Sequence, residues 1–517
     1  MRLSAIVPFL TLLSVGSALP SSGSKSAVVA RANSPDLSRL QVFKTKPRIF
    51  ILTDILNEPD DSESMVRYLL YSNEFNTRGI CATTSTWLRN ATHPEALVQI
   101  ITAYGKVTGN LNQHVNPNAQ YPSAKELLSL ITSGPNVYGK AALTQPASEG
   151  ALKLVKALCE SSDPLWVTVW GGSNTLAQAL DHIERTKSKK EAARLRSRLR
   201  VYTISDQDDT GEYIRNKYSD VVYIASIHAF NQYGSATWLG ISASLAGADD
   251  TKVSANWLKE NVQLGPLGAE YPTPMFLMEG DTPTFLYLIQ NGLGSSEFPN
   301  YGSWGGRYDA VNVGSPHYAN TEDTVIGRDG VSRTQAQATI YRWRDHYQND
   351  FASRIKWSLT SDFSQASHPP VPSVNGSSSV EFLNITVTSN QTIVLDASAS
   401  YDPDNPSSTS GLDFQWYQYQ EPSVIVAQAP SLVNVRLESL AAPSGTNGTL
   451  ASNDAGFKNT VVGPKVRVTV PRAPAATELI QFIPRPFTIH LILQVTSKTA
   501  PLPLRRYKRI LLTYPAT

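Results

Sequence analysis

The 517-residue chain has only two cysteines, Cys81 and Cys159, with four methionines and eight histidines. Two cysteines exclude a disulfide scaffold, and both sit in apolar surroundings that read as buried thiols. Charged residues make up 17% of the chain and the formal net charge is +2. Such a balance provides no overall field for drawing in nucleic acid, and no long Lys/Arg stripe occurs. The short basic clusters around Arg194–Arg200 and Arg505–Arg509 read as a solvated helix face and a strand flank. No stretch reaches the roughly 18 apolar residues that a membrane span needs. Also missing are a phosphate-binding loop, a Gly-x-Ser-x-Gly elbow and a His-Glu-x-x-His helix, so serine, cysteine and zinc hydrolases find no support.

The apolar residues that open the chain have a different reading. In "MRLSAIVPFLTLLSVGSALP" a basic residue precedes a short apolar run, then Gly16 and Ala18. This pattern predicts a signal peptide over residues 1–18 and a secreted, soluble protein, with a flexible leader over 19–44. Five Asn-x-Ser/Thr triplets, at Asn90, Asn375, Asn384, Asn390 and Asn447, are candidate glycosylation sites and agree with export.

From about 45 to 290 the sequence alternates short apolar runs with amphipathic segments. "RIFILTD" (48–54), "GICATTS" (79–85), "LWVTVWGG" (165–172), "LRVYTISDQDD" (199–209), "DVVYIAS" (220–226) and "PMFLMEGD" (274–281) read as strands covered on both faces. Ser62–Asn73, Pro94–Gly105, Glu149–Glu160 and Thr175–Arg185 read as helices between them, as does the region around Ser332–Ser358. The expected fold is α/β, a mostly parallel doubly wound sheet over 45–363. A Pro/Ser-rich linker is expected at 364–379. Beyond it, β-branched runs such as "LDFQWYQYQ" and "TIHLILQVTS" predict an all-β, immunoglobulin-like sandwich over 380–517.

Most of the expected parallel strands end in polar groups: Asp54, Ser85, Gly171–Gly172, Asp206 and Glu279–Asp281. Ligands of open α/β sheets bind outside the carboxyl ends of the strands, so these groups are expected to meet in one acidic, glycine-rich crevice. "TDILNEPDD" (53–61) places Asp54, Glu58, Asp60 and Asp61 within eight residues. Asp60, with Glu63 three residues on, reads as a capping box. One cap needs one carboxylate, and the others repel unless a cation or hydrogen-bond donors compensate. Oxygen-only ligands favour a hard ion, calcium before magnesium. Asp208 and Asp209 are candidate site residues or caps. Gly280, between Glu279 and Asp281, allows close backbone approach to a ligand. Trp87, Trp170, Trp238 and Trp304 are candidate stacking platforms, with core packing as the alternative. Arg307 is a candidate fork for an acidic partner. His228 and His317 read as structural, and Asp402 and Asp404 as turn formers.

"RIFILTDILNEPDDSESMVRYLLYSNEF" resembles the N-terminal signature of nucleoside-hydrolase-like proteins. With "WGGSNTLAQAL", "YTISDQDDTGEYIR", "EGDTPTFLYLIQNGL", "WGGRYD", "LDASASYDPD" and "FQWYQYQEP", the chain resembles secreted cellulose-binding proteins that join such a domain to a C-terminal β-domain. The resemblance implies calcium held by loop aspartates, a backbone carbonyl before a Gly-rich turn and a late aspartate. Carried over, these are Asp54, Asp61, the Trp170 carbonyl and Asp281. Asp54 or Asp61, with Glu58 second, is the implied base, and Asn57, Asp60, Gly171, Gly172 and Asn174 would contact substrate. One implied residue, both ligand and base, is replaced by Leu56. The reading is a glycosidic-bond hydrolase that binds a polysaccharide or other glycoside. The alternative is a non-catalytic polysaccharide-binding protein with a degenerate site.

Overall fold

The computed structural model describes residues 35–228, 230–423, 434–441, 448–473, 487–498 and 501–515. The expected signal peptide, the leader as far as Ser34 and Asn447 lie outside them. Eight strands form the main sheet: β1 (Arg48–Thr53), β2 (Asn76–Ala82), β3 (Ile131–Ser133), β4 (Leu165–Val169), β5 (Leu199–Thr203), β6 (Val222–Ala225), β7 (Tyr308–Ala310) and β8 (His317–Asn320). Their order is β3-β2-β1-β4-β5-β6-β8-β7, parallel throughout except for β7 against β8. Strand side chains alternate between faces, which divides β1 between two cores. Ile49 and Ile51 pack with helices α1 (Asp60–Tyr71) and α2 (Pro94–Gly105), whereas Phe50 and Leu52 pack with the helices Glu149–Glu160 and Asn174–Thr186. Burial on both faces is why these strands are continuously apolar.

Strand order runs outward from β1 to β3, then resumes on the other side of β1 with β4. The crevice at this reversal lies between the ends of β1 and β4, which deliver Asp54 and the Trp170–Gly172 turn.

Two expectations fail locally. Residues 274–281 form no strand: Phe276 and Glu279 have φ of 46° and 54°, which breaks the extended backbone a ladder requires. Ser332–Gln335 is not helical but a strand, β10, paired with β9 (Asp323–Ile326). Helix resumes at Ala338–Tyr341 and Arg344–Leu359.

The C-terminal part contains β11 (Leu383–Thr386), β12 (Thr392–Asp396), β13 (Leu412–Tyr419), β14 (Arg436–Ser439), β15 (Thr449–Ser452), β16 (Lys458–Val462), β17 (Lys465–Thr469), β18 (Thr488–Ser497) and β19 (Leu504–Thr513). Six strands, β11-β19-β18-β13-β16-β15, face three, β12-β17-β14. Between the sheets Trp416, Leu491, Leu493 and Leu512 pack with Leu395, Val466 and Val468. From the same strands Tyr417, Tyr419, Ile492 and Tyr507 enter the core of the α/β domain, with Trp304, Trp343 and Tyr347.

The basic run Arg505–Arg509 is therefore not a solvated flank. Arg505, Arg506, Lys508 and Arg509 are all buried. Arg505 pairs with Asp345 at 2.8 Å and Asp454 at 2.6 Å, and Arg506 pairs with Asp350 at 2.6 Å. Arg509 donates to the carbonyl of Leu293 at 2.6 Å. The segment expected as a linker is also held on both sides. The Ser367 carbonyl accepts from Ser353 Oγ at 2.6 Å, and the His368 amide donates to Asp404 at 2.7 Å. Residues 35–44 of the expected leader are tied by Asn116, whose amide donates to the carbonyls of Ser38 and Leu40. Cys81 is buried, its thiol pushed up to about 12 by burial, but Cys159 is exposed on the last turn of its helix, and neither is bonded.

Candidate acidic site

At the end of β1, residues 54–59 turn sharply into α1, with Leu56 at φ 73° and the Asn57 amide donating to the Asp54 carbonyl at 3.1 Å. Helix α1 begins at Asp60, and no side chain caps it. The capping-box expectation is thereby corrected: Glu63 accepts from the Glu279 amide at 2.8 Å, leaving Asp60 to face the crevice. The helix amino end favours the negative charge of Asp60 and Asp61.

Asp281 arrives from a loop 220 residues later, and the Glu279–Gly280–Asp281 turn lies against Asp60. A Cβ on Gly280 would sit 2.9 Å from Asp60 Oδ2. One carboxylate oxygen each from Asp60, Asp61 and Asp281 lies within 4.8 Å of the others. Asp54 stands beside them, its carboxylate 2.6 Å from where a Cβ on Gly171 would be, so only glycine fits there. Thr53 donates its hydroxyl to Asp61, while Asp281 Oδ2 is buried with no hydrogen-bond partner. Burial, then mutual repulsion, raises every carboxyl of this group. Asp60 is pushed up to about 7, and Asp61 and Asp281 lie well above the usual carboxylate range. For Asp54, burial raises the value to about 6 against a hydrogen bond from Ser85. Burial also raises half-buried Glu58.

The family described as cellulose-binding Sde182, nucleoside hydrolase-like domain, matches residues 48–308. The chain belongs to this family. The C-terminal domain described for cellulose-binding protein Sde0182 matches residues 392–514. Among solved structures, a nucleoside hydrolase-related hypothetical protein from Saccharophagus degradans, described as associated with carbohydrate metabolism, is similar at 25% identity with a TM-score of 0.68. The alignment covers 91% of this chain and all of that one. The effector protein XOO4466 aligns at 15% identity over 62% of this chain and 95% of its own, with a TM-score of 0.23 that carries no weight. No curated protein matches the chain. The α/β domain is thus nucleoside-hydrolase-like and is followed by a sheet-rich domain, as the sequence led us to expect.

Within this family fold, the residues singled out from the sequence separate into two groups. Asp54, Asp60, Asp61 and Asp281 converge, Asn57 and Glu58 lie on the same loop, and Gly171 abuts Asp54. Trp87 stands at the rim, 53% exposed, beside Tyr233. The others are tied into the protein. Glu279 is paired with buried Arg67 at 2.6 Å. Asp208, raised to about 6 by burial, accepts from the amides of Thr210 and Asn174. A Cβ on Gly172 would lie 2.5 Å from Asp208 Oδ2. Asn174 Nδ2 donates to Thr84 Oγ1 and the Val137 carbonyl, 2.8 Å each. Asp209 accepts from the Lys140 amide at 2.7 Å. Trp304 is buried and donates to the Tyr507 hydroxyl at 3.1 Å. Arg307 pairs with Asp323 at 2.7 Å. The Trp170 carbonyl accepts from Gln207, and its ring is core. None of these residues projects into the crevice as a free ligand group.

Tyr233 was missed: an aromatic residue in a polar stretch carries no signal of its own. It packs between His228, at 4.5 Å between ring centroids, and Trp238, at 5.8 Å. A separate cavity of about 910 Å³ opens at the other end of the sheet, lined by residues that include Lys46, Arg48, Trp166 and Phe382. Its charges do not converge: Arg48 donates to the carbonyls of Asp163 and Ala157, and Glu297 pairs with Arg200.

Proposed function

We propose that this is a secreted, carbohydrate-associated protein whose acidic pocket hydrolyses a glycosidic bond. The convergence of four carboxylates from two distant loops, with Asp281 Oδ2 left without a donor, is the observation that carries this reading. The family's description as cellulose-binding supports a polysaccharide as partner. Exposure of Asn90, Asn375, Asn384 and Asn390 supports export and glycosylation.

The donor set fits a hard divalent cation such as calcium, which Asp60, Asp61 and Asp281 would hold. Such an ion would neutralise their repulsion and polarise sugar hydroxyls. Asp54, raised to about 6, has a value suited to a general base at neutral pH. The base takes a proton from water as that water attacks the anomeric carbon, while the glycosidic bond breaks and the leaving group departs with its electrons and takes a proton from solvent. The remaining carboxylates stabilise the positive charge that develops on the sugar ring.

Leu56, which stands where the resemblance implies a ligand and base, favours the second reading, a binding protein without catalysis. Sugar release from nucleosides and plant polysaccharides, with and without added calcium, separates the two. The first reading expects release by the native protein and loss in Asp61→Asn, and expects calcium to raise the melting temperature of the native protein only. No release from any glycoside, with calcium present, would refute hydrolysis and leave binding.

A further inference from the structure

Backbone strain is concentrated around the acidic pocket. Among the described residues six non-glycine positions have positive φ. Three are asparagines (375, 390 and 459), which tolerate the left-handed region. The other three, Leu56, Phe276 and Glu279, all lie on the two loops that supply the carboxylates. Leu56 and Phe276 gain no burial from this strain: they are 54% and 84% exposed. Strain that holds a large apolar side chain in solvent points to a contact made with something else.

A third apolar group stands on another loop. Trp87 lies beside Tyr233, Tyr233 meets the edge of Trp238, and the Trp238 ring lies 3.4 Å from where a Cβ on Gly280 would be. Gly280 in turn abuts Asp60. A continuous aromatic path therefore runs from solvent to the carboxylates. Its complement is a ligand with flat C–H faces and a hydroxylated edge, which describes a sugar ring. A pocket lined by Asp54, Glu58, Asp60, Asp61 and Asp281 offers an anionic chain no basic side chain to pair with. Exposed platforms on three loops around one pocket offer more surface than one sugar unit covers.

We propose that Leu56, Trp87 and Phe276 are the platforms of an open cleft that carries successive units of a neutral polysaccharide across the acidic pocket. The ligand class rests on the glycoside reading above, but not on hydrolysis. Leu56 then serves as a contact for the chain in the place of the missing aspartate.

The test is calorimetric titration with cello-, xylo- and manno-oligosaccharides of one to six units, using the full chain. At least one series should bind more tightly with increasing length. Trp87→Ala and Phe276→Ala should each weaken binding of its six-unit member by about tenfold, without changing the melting temperature or the affinity for one unit. Affinity independent of length in all three series, or six-unit binding unchanged in both variants, would overturn the proposal. Length-dependent binding without sugar release would sink only the hydrolase reading. Ribose release from nucleosides with flat oligosaccharide series would sink only the cleft.

Discussion

Arg67→Met removes the guanidinium that faces Glu279, and the structure sets the scale of the effect. Both side chains are fully buried, with Nε to Oε2 at 2.6 Å and Nη2 to Oε1 at 3.0 Å. Breaking a buried pair from one side costs about 3–5 kcal/mol, because the surviving charge is left uncompensated. Here the hydroxyls of Tyr271 and Thr282 still donate to Glu279, each at 2.8 Å. The expected loss is therefore about 3 kcal/mol, at the lower end of that range. Adding Glu279→Gln removes the stranded charge, so the double variant should recover about 1–2 kcal/mol over Arg67→Met. Urea midpoints followed by circular dichroism measure both. A single-variant loss below about 1 kcal/mol, or a double variant no better than the single, would refute the argument. Glu279→Gln alone should leave sugar binding intact. If the folded variant no longer binds sugar, Glu279 belongs to the ligand site after all.

Two further outcomes follow from the same geometry. Leu56→Asn relieves a left-handed backbone that costs an ordinary residue about 1–2 kcal/mol, so stability should rise by roughly 0.5–1 kcal/mol, read as a higher urea midpoint. Acid should weaken the fold from pH 6.5 downward through His490, which is buried and accepts from Arg509 at 2.9 Å. Burial, then Arg509, holds its folded value well below the ordinary one. Below pH 6.5 the unfolded imidazole takes a proton that the folded one refuses, so the stability present above 6.5 is lost as pH falls, by up to about 1.4 kcal/mol per pH unit. His114, lowered to about 4 by burial, acts in the same direction over that window. Replacing His490 by glutamine should flatten the pH profile of the urea midpoint between 6.5 and 4.

The parts of the fold legible in the sequence are those where one local pattern dictates burial. β1, β4 and β5 are continuous apolar runs because helices cover both sheet faces, and the helices Pro94–Gly105 and Glu149–Glu160 coincide with their amphipathic periods. Asp54 could be singled out because it ends such a run, where polarity is unexpected, and Asp61 because it belongs to the acidic loop that follows; Asp281 ends an apolar run that forms no strand. The failures at the site share one cause, a partner outside the local stretch. Glu279 looks like a site residue until Arg67 appears beside it, and Trp304 looks like a platform until Tyr507 covers it. Arg307 reads as a free fork because nothing local announces Asp323 as its counter-charge. Composition likewise cannot distinguish a loose Pro/Ser spacer from one pinned by Ser353 and Asp404.

The seam of arginines along β19 bears on how this protein can be dissected. Cutting near residue 364 would part Asp345 and Asp350 from Arg505 and Arg506 and leave Arg506 without its only carboxylate partner among the described residues. With a shared core as well, residues 35–517 form one compact unit, so what each end contributes is best read from point substitutions in the intact chain.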